Sequence, residues 1–201
     1  MNNAKHLTPQ RNSAKRTSPR RWPTLLLCTV LMSTTLLVAD PQLAKAATCA
    51  NLVVDSSLEN GSGWITKSSG NYPVLSGRLT HSGKQAAYLA GADNASDLLA
   101  TVLKLPAGQP TITLSFWWQI QSQESSRFQD TLTVVLADSQ GKALQTLDSL
   151  SSRDMSNQWQ QHTFPLNKFA GQTVQLQFLA HTDGEAATDF FVDDIEVVAC
   201  S

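Results

Sequence analysis

The chain has no apolar run long enough to cross a membrane. Its main apolar stretch covers residues 24–39. That is about 16 residues, several of them Ser or Thr, whereas a spanning helix needs roughly 20. Acidic residues are missing from the start: residues 1–22 carry Lys5, Arg11, Lys15, Arg16, Arg20 and Arg21 and no Asp or Glu. Small residues close the apolar stretch at Ala44-Lys45-Ala46-Ala47. A basic start, a short apolar core and an A-x-A site read as a cleavable secretory signal peptide. We place cleavage after Ala46, which divides the chain into a signal peptide, 1–46, and one domain, 47–201. Trp22-Pro23 after Arg20-Arg21 departs from a twin-arginine signal, and Thr48 before Cys49 is a poor lipoprotein match. The domain is expected to be secreted, periplasmic or held at the cell surface, with no stable membrane insertion after cleavage.

Cysteine and basic residues are scarce. Three cysteines occur, and Cys28 lies in the leader, so Cys49 and Cys200 remain at the two ends of the domain. Export permits a disulfide. The first and last strands of a sandwich often lie side by side, which favours a Cys49–Cys200 bridge; two free thiols at frayed ends are the alternative. From Ala47 onward there are 8 Lys and Arg against 15 Asp and Glu, a formal charge of −7. An acidic domain without a basic stretch excludes nucleic acid and anionic membrane surfaces as natural partners and suits divalent cations. Catalytic signatures are missing too. His81, His162 and His181 show no H-E-x-x-H spacing, and there is no G-x-S-x-G elbow. With both cysteines engaged no thiol nucleophile remains. The domain is expected not to be an enzyme.

Helical periodicity is almost absent, and alternation interrupted by turn residues takes its place, which marks an all-β chain. Short strands are expected at Leu52–Val54, Arg78–His81 and Gln85–Leu89, and a longer one from Leu98 to Leu105. The strongest is Thr111–Ile120, where Ile112, Leu114, Phe116, Trp118 and Ile120 share one face and Trp117 and Gln119 the other. Further strands follow at Thr131–Ala137, Ala143–Leu147, Trp159–Phe164, Thr173–Phe178 and Phe190–Val198. Asp148–Asn157 reads as a polar loop. One wet face per strand points to an antiparallel β-sandwich.

The order of features resembles the carbohydrate-binding-module-like and MAM-like jelly rolls of the galactose-binding-like superfold. Leu58-Glu59-Asn60-Gly61 with Trp64 resembles their opening "F-E-x-G … W", with Leu58 in place of Phe. Leu114–Trp118, Asp130–Val134, Phe169–Phe178 and the closing Phe190-Phe191-Val192-Asp193-Asp194-Ile195 follow in the order expected. Similar domains accompany secreted bacterial peptidases of the immune-inhibitor-A type, adhesins and glycan-binding proteins. The resemblance implies an all-β jelly roll and a structural calcium held by the opening Glu and the closing Asp. On this chain those are Glu59 and Asp193, with Asp194 second, because neighbours on a regular strand point to opposite faces unless a bulge intervenes. Six to eight oxygen donors are the calcium requirement.

Glycan recognition needs an aromatic platform with polar side chains beside it. The alternation leaves Trp117 outside with Gln119, Gln175 and Gln177 on polar faces, so these four are the candidate ligand-binding residues; Trp64, Tyr72 and Trp159 lie near loops. The leading expectation is an exported, non-catalytic domain binding a polysaccharide. Its competitor is a structural or protein-interaction module serving an exported partner. A groove around Trp117 favours the first, and a loop covering Trp117 favours the second.

Overall fold

The computed structural model describes residues 47–125 and 129–201; the expected signal peptide and its cleavage site lie outside them. Eleven strands are formed: β1 Cys49–Asn51, β2 Trp64–Ser68, β3 Leu75–Ser76, β4 Ala86–Leu89, β5 Ser96–Lys104, β6 Thr111–Ser122, β7 Thr131–Ala137, β8 Ala143–Ser151, β9 Gln160–Pro165, β10 Thr173–His181 and β11 Thr188–Cys200. They build two antiparallel sheets. One runs β3-β4-β11-β6-β9 with β1 also on β11, and the other runs β2-β5-β10-β7-β8. Apart from the neighbours β3–β4 and β7–β8, which pair within one sheet, consecutive strands cross between the sheets, as in a jelly roll. Among the described residues no helix is long and apolar enough to cross a membrane.

Alternation dictates the core. Ile112, Leu114, Phe116, Trp118 and Ile120 of β6 are all buried and face Val174, Leu176 and Phe178 of β10. Phe116 meets Phe178 edge to face at 5.1 Å between ring centroids. Fully burying side chains of this size is worth about 1.5–3 kcal/mol each. Leu58 takes the place of the usual Phe without loss of burial and sits wholly inside.

Four expectations are corrected. The first strand is Cys49–Asn51, not Leu52–Val54, since pairing with β11 runs through Cys49↔Cys200 to Asn51↔Val198. Arg78–His81 is a turn segment, and β3 lies earlier, at Leu75–Ser76. The long strand expected at Leu98–Leu105 runs from Ser96 to Lys104. The Asp148–Asn157 loop is shorter than expected, because β8 continues to Ser151 and a 3-10 turn follows at Ser152–Asp154. Pairing with β7 carries this edge strand through Asp148 and Ser149 despite their turn preference.

The terminal bridge is present: Cys49 and Cys200 are disulfide-bonded across 151 residues of sequence. It joins the first strand to the last and closes nearly the whole domain into one loop. Loop-closure entropy puts such a constraint at about 4–5 kcal/mol. Mass spectrometry of the purified domain is expected to show it two hydrogens lighter than its reduced form, and reduction is expected to lower the melting temperature. Free thiols in the unreduced protein, or no change in melting on reduction, would contradict this.

Candidate functional site

The last strand carries a β-bulge between Asp193 and Glu196. Asp194 stands at its centre with φ +44. The bulge breaks the alternation that would send Asp193 and Asp194 to opposite faces, and both carboxylates reach the same loop, residues 81–85. Asp193 is 0% exposed. Its Oδ2 accepts from the N–H groups of His81 at 2.8 Å and Ser82 at 3.1 Å, and its Oδ1 accepts from the Asp194 N–H at 2.8 Å. Asp194 takes the His81 imidazole at 2.6 Å and the Ser82 hydroxyl at 2.8 Å. Glu59 reaches the other end of the loop, where its Oε1 accepts from the N–H groups of Lys84 at 2.8 Å and Gln85 at 3.2 Å. Burial pushes the Asp193 carboxyl above its usual range, against the three backbone N–H groups that stabilise its charge.

Glu59, Asp193 and Asp194 all hold the 81–85 loop. They act as a clasp, with backbone N–H groups as donors to Glu59 and Asp193 and the His81 and Ser82 side chains as partners of Asp194. The three do not form the tight oxygen cluster of a cation site. Among the described residues, the trio with carboxylate oxygens within 4.8 Å of one another is Glu124, Asp130 and Asp183.

The clasp decides what happens to Trp117. Asp193 is its cross-strand partner, so the pinned loop lies over it. His81 stacks on the indole with centroids 4.0 Å apart and planes 15° apart, and Trp159 meets His81 edge-on at 5.6 Å. The outward face of Trp117 is covered. Gln119 lies one row along, beside Phe191, and is buried. Gln175 and Gln177 lie on β10, in the other sheet, and hydrogen-bond to each other. The four candidate ligand residues therefore do not share a groove. Alternation says which residues face out, but each sheet has its own outside.

A different aromatic cleft opens at the β3–β4 edge of the six-stranded sheet. It has a volume of about 340 Å³ and is lined by Tyr72, Pro73, Ser76, Arg78, Tyr88 and Gly91. Tyr72 and Tyr88 are tilted at 5.4 Å, and Tyr88 stacks on Phe191 at 5.5 Å. The Arg78 guanidinium lies 4.5 Å from the Tyr88 ring centre and donates to its hydroxyl, which in turn donates to Asp189 Oδ1 at 3.0 Å. The Tyr72 hydroxyl donates to buried Asp97, and the Gly91 N–H donates to that hydroxyl at 2.6 Å. Of these residues the sequence pointed only to Tyr72. Arg78, Tyr88, Asp97 and Asp189 are spread over some hundred residues of chain, and no local motif links them.

The histidines are accounted for separately. His81 belongs to the clasp. His162 bonds Asp148 at 2.5 Å, which ties β9 of one sheet to β8 of the other. His181 meets Ser96 at 3.1 Å as cross-strand neighbours on an exposed surface.

This arrangement of two antiparallel sheets defines a jelly-roll β-sandwich, and solved structures share it. TmCBM61, solved in complex with β-1,4-galactotriose, is 15% identical over 74% of this chain and 97% of that one, with a TM-score of 0.55. The K3 adhesin domain of Lys-gingipain from Porphyromonas gingivalis is 19% identical over 76% of this chain and 100% of that one, with a TM-score of 0.50. At these identities the likeness establishes the fold. The family model of the MAM domain, meprin/A5/mu, matches residues 49–201, and the chain belongs to that family. No curated protein matches it.

Two expectations follow from the geometry. Gly83 sits at φ +58, and a Cβ there would run into the Glu59 carboxylate. Gly83→Ala is expected to destabilise the domain by at least about 1–2 kcal/mol from the backbone alone, measured by denaturant unfolding; an unchanged midpoint would contradict the clasp. The second concerns the cleft. Burial first, then the charge and hydrogen bond of Asp189, push the Tyr88 phenol up to about 12. Burial and Asp97 raise Tyr72 as well. The chain has only these two tyrosines, so tyrosinate absorbance reports on the cleft alone. The folded state disfavours the phenolates, so this contribution to stability is complete below about pH 10 and is lost as pH climbs from there. Folded protein at about pH 11 is expected to show little tyrosinate and denatured chain both phenolates; full ionisation of the folded protein at that pH would contradict the packing.

Proposed function

We propose that this chain is exported by the signal peptide of residues 1–46 and that its MAM domain is a non-catalytic module binding carbohydrate outside the membrane. The observation that carries the reading is the Tyr72–Tyr88 cleft with Arg78 at its mouth. Tyr88 is 5% exposed, packed on Phe191 with Arg78 over its ring, so the half-buried Tyr72 ring is the surface left for a sugar C–H face, beside the few fixed polar groups a saccharide needs. Arg78 is exposed, while Asp97 and Asp189 hold the two phenols in place. Like TmCBM61, which was solved with a galactotriose, the domain is read as taking part of a chain polysaccharide. Export is supported by the basic and apolar leader and by a disulfide of the kind that persists in oxidising compartments. Whether the site of action is periplasm, cell surface or medium is the same chemistry in each case. Calcium is proposed as a structural ion. Loop N–H groups meet Asp193 and one oxygen of Glu59, and the His81 and Ser82 side chains meet Asp194, which favours a different set of acids for the ion.

A second reading has its own observation. Ile65, Val102 and Leu179 stand exposed on the outer face of the five-stranded sheet, around Gln175 and Gln177. That apolar surface, and the loop over Trp117, favour a module that docks an exported protein, for instance a peptidase.

A glycan array with calcium present separates the two. Wild type is expected to bind a defined set of glycans, and Arg78→Ala to lose affinity by about tenfold or more, the scale of a charged hydrogen bond. Trp117→Ala is the competing variant: loss there with Arg78→Ala intact would move the site to the His81–Trp117–Trp159 stack. No glycan bound by wild type would leave the interaction module as the reading.

A further inference from the structure

One end of the sandwich holds three carboxylates that neither the cleft nor the clasp uses. Glu124 follows β6, Asp130 precedes β7 and Asp183 follows β10. The pairing of these strands brings the three loops together: His181 of β10 stands opposite Thr131 of β7, and the Asp183 N–H donates to Asp130 Oδ1 at 2.9 Å. Oxygens of all three side chains lie within 4.8 Å of one another. An acidic cluster on a surface would mean little. Here, Glu124 is 5% exposed and Asp130 is 0% exposed. Both oxygens of Glu124 and Oδ2 of Asp130 are buried without any hydrogen-bond partner. Ser152 is bonded to the same segment, its N–H donating to the Asp130 carbonyl at 3.0 Å, and its hydroxyl is also buried without a partner.

Buried carboxylates are kept only where charge or hydrogen bonds compensate the loss of water. The contrast with Asp193 is direct: that equally buried acid accepts three backbone N–H groups. At Glu124 no such compensation is found among the described residues. The donor set contains oxygen only, which suits a hard cation and not zinc or copper. The donors come from separate loops, with no fixed octahedral frame, which suits calcium better than magnesium. We propose that Glu124, Asp130 and Asp183 hold a calcium ion at this end of the sandwich, with the Ser152 hydroxyl as a further oxygen donor. The ion ties the β6–β7 loop to the turn after β10, and so cross-links loops from both sheets. The assignment sharpens the calcium part of the proposed function and is independent of the glycan part.

The test is thermal melting of the full chain stripped with a chelator, then given Ca²⁺ alone or Mg²⁺ alone. Wild type is expected to gain about 5–10 °C when Ca²⁺ exceeds its Kd roughly a hundredfold. Glu124→Gln and Asp130→Asn are expected to lose that gain. In chelator, Glu124→Gln is expected to melt at or above wild type, since it removes an uncompensated charge; this keeps loss of binding distinct from loss of folding. Glu59→Gln is expected to keep the calcium gain. No gain in wild type overturns the proposal, and so does a gain that survives both Glu124→Gln and Asp130→Asn. A gain abolished by Glu59→Gln alone overturns it in favour of the clasp, and a larger gain with Mg²⁺ overturns the choice of calcium. Glycan binding is read separately on the array, so either result can fail without the other.

Discussion

Strand β11 has a partner along both of its edges, and the rest of the domain is arranged around that fact. One edge pairs with β6 from Thr188↔Ser122 to Cys200↔Thr111. The other is divided: β4 takes Phe190 to Val192, and β1 takes Val198 to Cys200. A buried strand must find partners for its N–H and C=O groups, and the gap between β4 and β1 is where it cannot do so in a regular way. The bulge falls in that gap. There the Ile195 N–H is met by the carbonyl of Ser56, and Asp193 and Asp194 turn together onto the 81–85 loop. The pinned loop then shields Trp117. One strand further out, the half-buried Tyr72 ring lines the cleft, with Tyr88 packed beneath Arg78.

The two outer faces of the sandwich have different chemistry as a result. On the six-stranded sheet the cross-strand row Tyr88, Phe191, Gln119 is aromatic and polar but buried, and it ends at the cleft where Arg78 lies over Tyr88. On the five-stranded sheet the row Ile65, Ala100, Gln177, Val135 is mostly aliphatic and, among the described residues, carries no ring.

Buried acid is handled in two ways in one small domain. Asp193 is solvated by backbone N–H groups and needs no counter-ion. Glu124 and Asp130 have nothing comparable, and their oxygens point at one another's neighbourhood. The difference comes from local geometry. The 81–85 loop turns a run of N–H groups inward, whereas the elements around Glu124 are strand ends whose N–H groups are already engaged. Electrostatics in the interior is decided by where donors face, more than by how many acids a sequence contains.

The period-2 pattern by itself determined the all-β class, the buried face of β6 and the sandwich, because burial of alternate side chains is a local property of a strand. Cys49 and Cys200 were legible as a pair for a related reason: they are the only cysteines left in the domain, and they occupy its two ends. The acidic Glu59, Asp193 and Asp194 were legible as a group through the resemblance to jelly rolls. What they do was not, since a bulge and a loop conformation decide whether a carboxylate meets N–H groups or a metal ion. Tertiary structure alone decided the cleft and the Glu124–Asp130–Asp183 cluster. Both are assembled from residues far apart in sequence, and their meeting depends on which strands pair, at what register, and at which end of the sandwich the loops emerge.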